Sequence, residues 1–237
     1  MLIHKSFICM MPVCNSGYIV LFLEMFEQFK EDLHQAFKQP LPGKPAHESL
    51  KPYLKISKIL DAPQLFKPKI GAVMTLLYPV DNVPHILFIE RPVYDGVHSG
   101  QIAFPGGKIE KTDPTYLDAA LRETQEEVGI AREHITVMGP LTKVFVFASN
   151  FMVYPFVGIL NEIPTVTLEQ KEVAAIMEVP LNKFFEPEVI KEKPIRSALG
   201  FTMLAPYYDL NGKVLWGATA MMVSELCAII KRHQIKL

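Results

Sequence analysis

The nine residues Arg122-Glu123-Thr124-Gln125-Glu126-Glu127-Val128-Gly129-Ile130 restrict this chain more than any other stretch. On a helix advancing about 100° per residue, Glu123, Glu126 and Glu127 fall at i, i+3 and i+4 and share one face. Like charges so spaced repel by about 0.2–0.5 kcal/mol per pair. A helix that crowds them together gains nothing unless a divalent cation sits against it, so the fold has to leave that face accessible.

The helix is marked at both ends. Asp113 is the expected N-cap, Pro114 suits the first helical position, and Gly129 can take the left-handed conformation that ends a helix. Leu117, Ala120, Leu121, Thr124 and Val128 make a stripe for the core, with the glutamates expected to face elsewhere.

Strand signals flank this helix. Residues 70–78 and 85–90 are β-branched and apolar around a turn at 79–82, and residues 101–104 read as a short strand running into Pro105-Gly106-Gly107. Residues 135–147, 152–160 and 173–179 read as further strands. Residues 199–208 and 214–216 are separated by Asp209-Leu210-Asn211-Gly212, in which Asn-Gly is a strong hairpin signal. Residues 219–231 close the chain as a helix with Met222, Leu226 and Ile229 on one side; Trp216, Met221 and Met222 are read as core. Mixed strands with one central and one terminal helix indicate an α/β protein, a mixed sheet between helical layers.

With 237 residues, 49% of them hydrophobic, the chain can bury one large core. A net charge of −1 without a basic stripe argues against a nucleic-acid or membrane-surface partner. Cys9, Cys14 and Cys227 are too scattered for a disulfide framework or zinc site, which suits a cytoplasmic location. Residues 1–24 are apolar but interrupted by Pro12, Asn15 and Ser16, and the clean run at 18–23 is far short of the roughly 20 residues a membrane span needs. They are expected to be a non-native or disordered extension. From Met25 the pattern becomes helical, with Phe26, Phe29, Leu33 and Phe37 in register. Pro40, Pro42, Gly43 and Pro45 then open a linker, so residues 25–67 are expected to be a helix and linker and residues 68–237 the catalytic domain.

Carboxylate oxygens are ligands for hard cations, and Mg²⁺ or Mn²⁺ held there would neutralise phosphate charge and activate water. Phosphoanhydride hydrolysis is the reaction class implied. Arg122 is expected to fix glutamate orientation by ion pairing, while Gly106 and Gly107 allow close backbone approach and a carbonyl ligand.

Phe104-Pro105-Gly106-Gly107 followed by Arg122-Glu123-x-x-Glu126-Glu127-x-Gly129-Ile130 resembles the box of the Nudix hydrolase superfamily, R-E-U-x-E-E-x-G-U with U aliphatic. Thr124 stands where an aliphatic residue is usual, Asp113 takes the upstream acidic position, and the spacing from Gly107 to Arg122 is one residue longer than usual. That expansion is similar to the coenzyme A pyrophosphatase-like subgroup. Leu87, Arg91, Gly100, Phe104, Pro105, Gly106 and Gly107 match the subgroup's upstream signature, whereas Ile89, Pro92 and Gly96 replace a Thr, a Ser and an Arg. Residues 171–181 and 214–222 also resemble it, so the likeness runs from about 70 to 230.

The resemblance implies an α/β/α sandwich that depends on Mg²⁺ or Mn²⁺. It implies Glu123, Glu127 and Glu126 as metal ligands with the Gly106 carbonyl, and Glu126 as base with Arg122 supporting it. Arg91, Gly107 and Glu172 are the expected substrate contacts, with Glu172 supplying a carboxylate from the opposite loop. The substrate is expected to be a small nucleoside diphosphate-linked molecule, coenzyme A or a derivative, with no nucleic-acid or membrane partner and a homodimer left open. ADP-ribose or a nucleotide sugar is the competing substrate class, and a non-catalytic nucleotide-metabolite sensor the competing function. In the loop before the box, His98 is read as a solvated loop residue ahead of a substrate contact, and Tyr94 as either stacking on adenine or covering the sheet.

Overall fold

The computed structural model describes residues 16–53, 67–196 and 202–237, with side chains from Met25 onward. Eight strands form the main sheet: β1 (Lys69–Val80), β2 (Val83–Glu90), β3 (Ile102–Ala103), β4 (Gly106–Lys108), β5 (Thr136–Pro140), β6 (Val144–Val146), β7 (Phe151–Ile159) and β8 (Ala175–Pro180). A second, antiparallel sheet contains β9 (Ile190–Arg196), β10 (Thr202–Leu210) and β11 (Lys213–Trp216). Three α-helices cover them: α1 (Ser16–Phe37), α2 (Tyr116–Val128) and α3 (Gly217–His233).

β1 is central because each of its halves has a different neighbour. Gly71–Val73 pairs with β4, Leu76–Val80 pairs with β2, and β7 runs parallel along the other edge. One parallel pairing among antiparallel ones makes the sheet mixed. Strand alternation sorts the side chains. Ala72, Met74, Leu76 and Tyr78 pack with Ala119, Ala120, Leu121 and Val128 of α2, while Leu77, Ile86 and Phe88 pack with Phe29 and Leu33 of α1 and Leu226 and Ile230 of α3. The fold is therefore an α/β/α sandwich, as the residue pattern indicated.

The turns follow local chemistry. Asp81 and Asn82 both have positive φ, as do Asn211 and Gly212, and two consecutive left-handed residues match the right-handed twist of hairpin strands.

Several expectations are corrected. The cap of α2 is Thr115, whose Oγ1 accepts the Asp118 N–H at 3.1 Å; Asp113 lies outside the helix because its carboxylate is drawn into an ion pair with Arg122. The continuous strand expected at 135–147 breaks into β5 and β6 at 141–143, where Thr142 hydrogen-bonds to Glu225 of α3. α1 is described over Ser16–Phe37, with Phe26, Phe29 and Leu33 buried, and residues 1–15 are outside the described residues. The stretch expected to be a linker contains a packed 3-10 helix, Lys44–Leu50, with His47 and Leu50 buried against α3. Residues 54–66 of that linker, and 197–201 at the start of the strand expected at 199–208, are outside the described residues. β9 has no counterpart in the sequence reading: it is a charged edge strand carrying Pro194, a residue that edge strands tolerate.

Candidate metal and pyrophosphate site

β4 brings the glycine pair against α2. The Gly106 N–H donates to Glu127 Oε2 at 2.8 Å. Gly106 sits at φ +147°, and a Cβ there would come within 2.3 Å of the Ala72 carbonyl oxygen. A Cβ on Gly107 would come within 2.5 Å of the Glu123 carboxyl carbon. Both positions have to be glycine: one for its backbone, the other because Glu123 fills the space a side chain would need.

That packing changes the sequence picture of the glutamates. Glu123 and Glu127 do not face away from the core; they are 9% and 1% exposed, sunk between α2 and the glycines. Only Glu126 projects outward, and its Oε2 is 2.8 Å from Arg122 Nη1. The third carboxylate of the cluster comes instead from Glu172. Ligand atoms of Glu123, Glu127 and Glu172 lie within 4.8 Å of one another. Glu172 arrives there because its loop docks on the end of α2, where the Glu169 N–H donates to the Glu127 carbonyl and the Thr167 N–H to that of Val128.

Arg122 organises the rim. Its Nε is 2.9 Å from Asp113 Oδ1, its Nη1 is 3.0 Å from Glu123 Oε1, and its Nη2 reaches the Lys108 carbonyl at 3.2 Å. The guanidinium thus fixes the segment between β4 and α2 to the helix and sets the direction of Glu123. It also holds the Asp113 carboxyl below its usual range.

The electrostatics match a site short of positive charge. Burial pushes Glu127 up to about 7, against the Gly106 N–H and the Arg91 guanidinium, and the Glu123 and Glu172 carboxylates add to the rise. Glu123 is raised as well, by burial first, with Arg122 opposing and Glu126 and Glu172 reinforcing. Arg91 faces this cluster from the end of β2, and its Nε is buried without a partner among the described residues. Three hard oxygen donors within coordinating reach of one another, together with an orphaned guanidinium N–H, fit a divalent cation and a phosphate bound side by side.

In the loop before the box, Tyr94 donates its hydroxyl to the Val97 carbonyl at 2.7 Å, and its ring lies where a Cβ on Gly96 would stand, 2.6 Å away. A side chain at 96, such as the arginine of the subgroup signature, would displace that ring. His98 binds Gln101 Oε1 through Nδ1 at 3.0 Å. Glu123, Glu127, Glu172, Gly106, Gly107 and Arg91 are thus gathered in one place, whereas Glu126 stands at the rim with Arg122. Asp113 as the anchor of Arg122 was not read from the sequence; its position, before a proline and too far from the helix to look paired, disguised it as a cap.

The NUDIX domain family model matches residues 68–199. An uncharacterized Nudix hydrolase, NudL, of Cronobacter sakazakii is 31% identical over 186 residues, covering 73% of this chain and 93% of that protein. The NudL of Pectobacterium atrosepticum is 34% identical over 151 residues, 60% of this chain and 73% of that protein. Among solved structures, the Nudix hydrolase RenU of M. smegmatis aligns over 78% of this chain and 96% of its own at 14% identity, with a TM-score of 0.49. Among the described residues no helix is long and apolar enough to cross a membrane. The chain belongs to the Nudix hydrolases, enzymes that act on phosphoanhydride bonds with the help of divalent metal ions.

Proposed function

We propose that the protein hydrolyses the pyrophosphate of coenzyme A or its derivatives, releasing adenosine 3',5'-bisphosphate and a 4'-phosphopantetheine fragment. The observation that carries the chemistry is the convergence of Glu123, Glu127 and Glu172 beside the Gly106–Gly107 pair and the unpartnered Arg91 Nε. The substrate choice rests on the residues of the box: the longer spacing before Arg122 and the Leu87–Gly107 matches to the coenzyme A subgroup.

Glu123, Glu127 and Glu172, with the Gly106 carbonyl, would hold Mg²⁺ or Mn²⁺. Bound there, the metal offsets phosphate charge and lowers the pKa of a coordinated water. The chain's own part is positional. Arg91 presents an N–H to a phosphate oxygen, and Gly107, lacking a side chain, lets the Glu123 carboxylate lie against the backbone of β4. Arg122 keeps Glu123 from rotating away. Glu126 is the base the resemblance implies, and its carboxylate is engaged by Arg122 at the rim. Glu172 is the exposed member of the convergent set, and its Oε is the better placed to hold the proton leaving the attacking water.

The test is a panel of pyrophosphate substrates supplied with Mg²⁺ or Mn²⁺ and products identified by mass. Coenzyme A or an acyl derivative should be the preferred substrate and should yield the two fragments named. Preference for ADP-ribose or a nucleotide sugar would move the assignment to that class, and absence of turnover across the panel would indicate a sensor.

A further inference from the structure

The second sheet does more than cap the sandwich. Between it and the end of β2 lies a cavity of about 400 Å³ that none of the metal-site residues lines. That volume suits a small-molecule group of nucleoside size. Its walls combine two chemistries. Ile102, Ile195 and Trp216 supply apolar and aromatic surface, while Lys193 and Lys213 supply two cations against one acid, Glu90. Lys213 Nζ is 2.6 Å from Glu90 Oε2, and the Lys193 ammonium lies over the Tyr207 ring, 5.3 Å from its centroid, in no ion pair among the described residues. The cavity therefore carries a surplus positive charge beside a flat apolar wall.

Its position ties it to the reaction. Glu90 and Arg91 are consecutive at the end of β2, so their side chains leave on opposite sides, Glu90 into this cavity and Arg91 toward Glu127. The backbone N–H of Arg91 donates to the carbonyl of Gln101 in the cavity wall at 3.0 Å. The cavity and the Arg91 guanidinium thus meet at the same strand end, one residue apart along the chain. Lys213, Val214 and Trp216 of β11 close the cavity from the side opposite Gln101 and Ile102, beyond the 68–199 stretch that the family model matches.

We propose that this cavity binds the nucleoside end of the substrate and selects one carrying a phosphomonoester apart from the pyrophosphate. Lys193 and Lys213 take the monoester and Trp216 offers its face to the base. Glu90 competes with the phosphate for Lys213 and so tunes the preference. The assignment rests on the hydrolase reading above but is separable from it, because binding of the released fragment needs no turnover.

Adenosine 3',5'-bisphosphate and adenosine 5'-monophosphate, titrated calorimetrically into the full chain, provide the test. The bisphosphate should bind about tenfold or more tightly, as expected for one added charge-assisted contact. Lys193→Glu should bring the two affinities together, Lys213→Met should narrow the gap, and Glu90→Gln should widen it. In turnover, coenzyme A should exceed 3'-dephospho-coenzyme A by a similar factor, mainly through KM. Equal affinity for both nucleotides in the wild type, or a preference that survives Lys193→Glu, overturns the cavity assignment. If the bisphosphate is preferred while coenzyme A is not hydrolysed, the cavity stands and the coenzyme A reading falls.

Discussion

Two buried glutamates on two helices of this protein are treated in opposite ways. Glu225 of α3 is fully buried, yet every face of its carboxylate is answered: Oε1 accepts from the Gly43 N–H at 3.0 Å and the Thr142 hydroxyl at 2.7 Å, and Oε2 lies 2.9 Å from the Thr142 N and 3.0 Å from His47 Nε2. Burial works to raise its pKa, and the hydrogen bonds from His47 and Thr142 together outweigh it, so the carboxyl is held below its ordinary value. Glu127 of α2 is just as buried but has one N–H and one distant guanidinium against two neighbouring carboxylates, and it is pushed up to about 7. A fold that can satisfy a buried acid completely on one face of its sheet leaves another unsatisfied on the opposite face. The difference separates a carboxylate that ties segments together from one left short of positive charge.

The largest effect expected from breaking this contrast is on turnover at Glu127. Glu127→Gln keeps an oxygen to accept the Gly106 N–H but removes the charge that would hold the metal. Loss of several kcal/mol of charge stabilisation corresponds to a fall in kcat/KM of about a thousandfold or more. The melting temperature should hold or rise, because a crowded like charge has gone. A variant that retains most of its activity would remove Glu127 from the site.

Glu225 should behave the other way round. Glu225→Ala leaves the Gly43 and Thr142 donors and His47 facing an apolar gap, and loss of one partner from a buried polar network costs about 3–5 kcal/mol. For a domain of this size that is a fall of about 10 °C in Tm, while kcat of the folded fraction changes little. The acid dependence carries a definite sign. A carboxyl whose folded pKa lies below the ordinary 4.5 stabilises fully above that pH, and the contribution disappears as pH falls through the lower folded value. The stability gap between wild type and Glu225→Gln, read from urea unfolding, should therefore be widest near neutrality and close in acid. A gap that widened on acidification would mean the hydrogen bonds do not hold the carboxyl low.

The contrast also marks what the residues alone disclosed. The helix, the glycine pair and the need for a cation were readable because they are local: spacing fixes the angle between Glu123 and Glu127, and Gly129 ends the helix where it should. The hairpins around Asp81-Asn82 and Asn211-Gly212 are local too. What was not readable depends on distant partners. Glu172 joins the cluster where backbone hydrogen bonds of residues 167 and 169 seat its loop on α2, and the strand expected at 135–147 is interrupted where Glu225, more than eighty residues later, captures Thr142. Glu126 looked equivalent to its neighbours in spacing, and Arg122 made it different.

Arg122 gives a smaller and more selective perturbation. Arg122→Lys keeps a positive charge but cannot span Asp113, Glu123 and Glu126 at once, since a single ammonium lacks the planar fork. Misoriented ligand groups of this kind reduce metal affinity or activity by about 10–100-fold. The metal concentration for half-maximal activity should rise along with the fall in kcat, a pairing that mere loss of folded protein would not produce.

The smallest effect distinguishes the cap from the anchor at the start of α2. Thr115→Ala removes the side-chain acceptor of the Asp118 N–H and should cost about 1 kcal/mol of stability while leaving metal dependence alone. Asp113→Ala makes no difference to the cap, since Asp113 lies before the helix, but it frees the Arg122 guanidinium from its strongest partner and loosens Glu123 with it. Its signature should be a raised metal requirement with little change in Tm. If the two variants exchanged these signatures, α2 would begin at Asp113 as its spacing alone suggests, and Arg122 would owe its orientation to the glutamates rather than to the loop that precedes them.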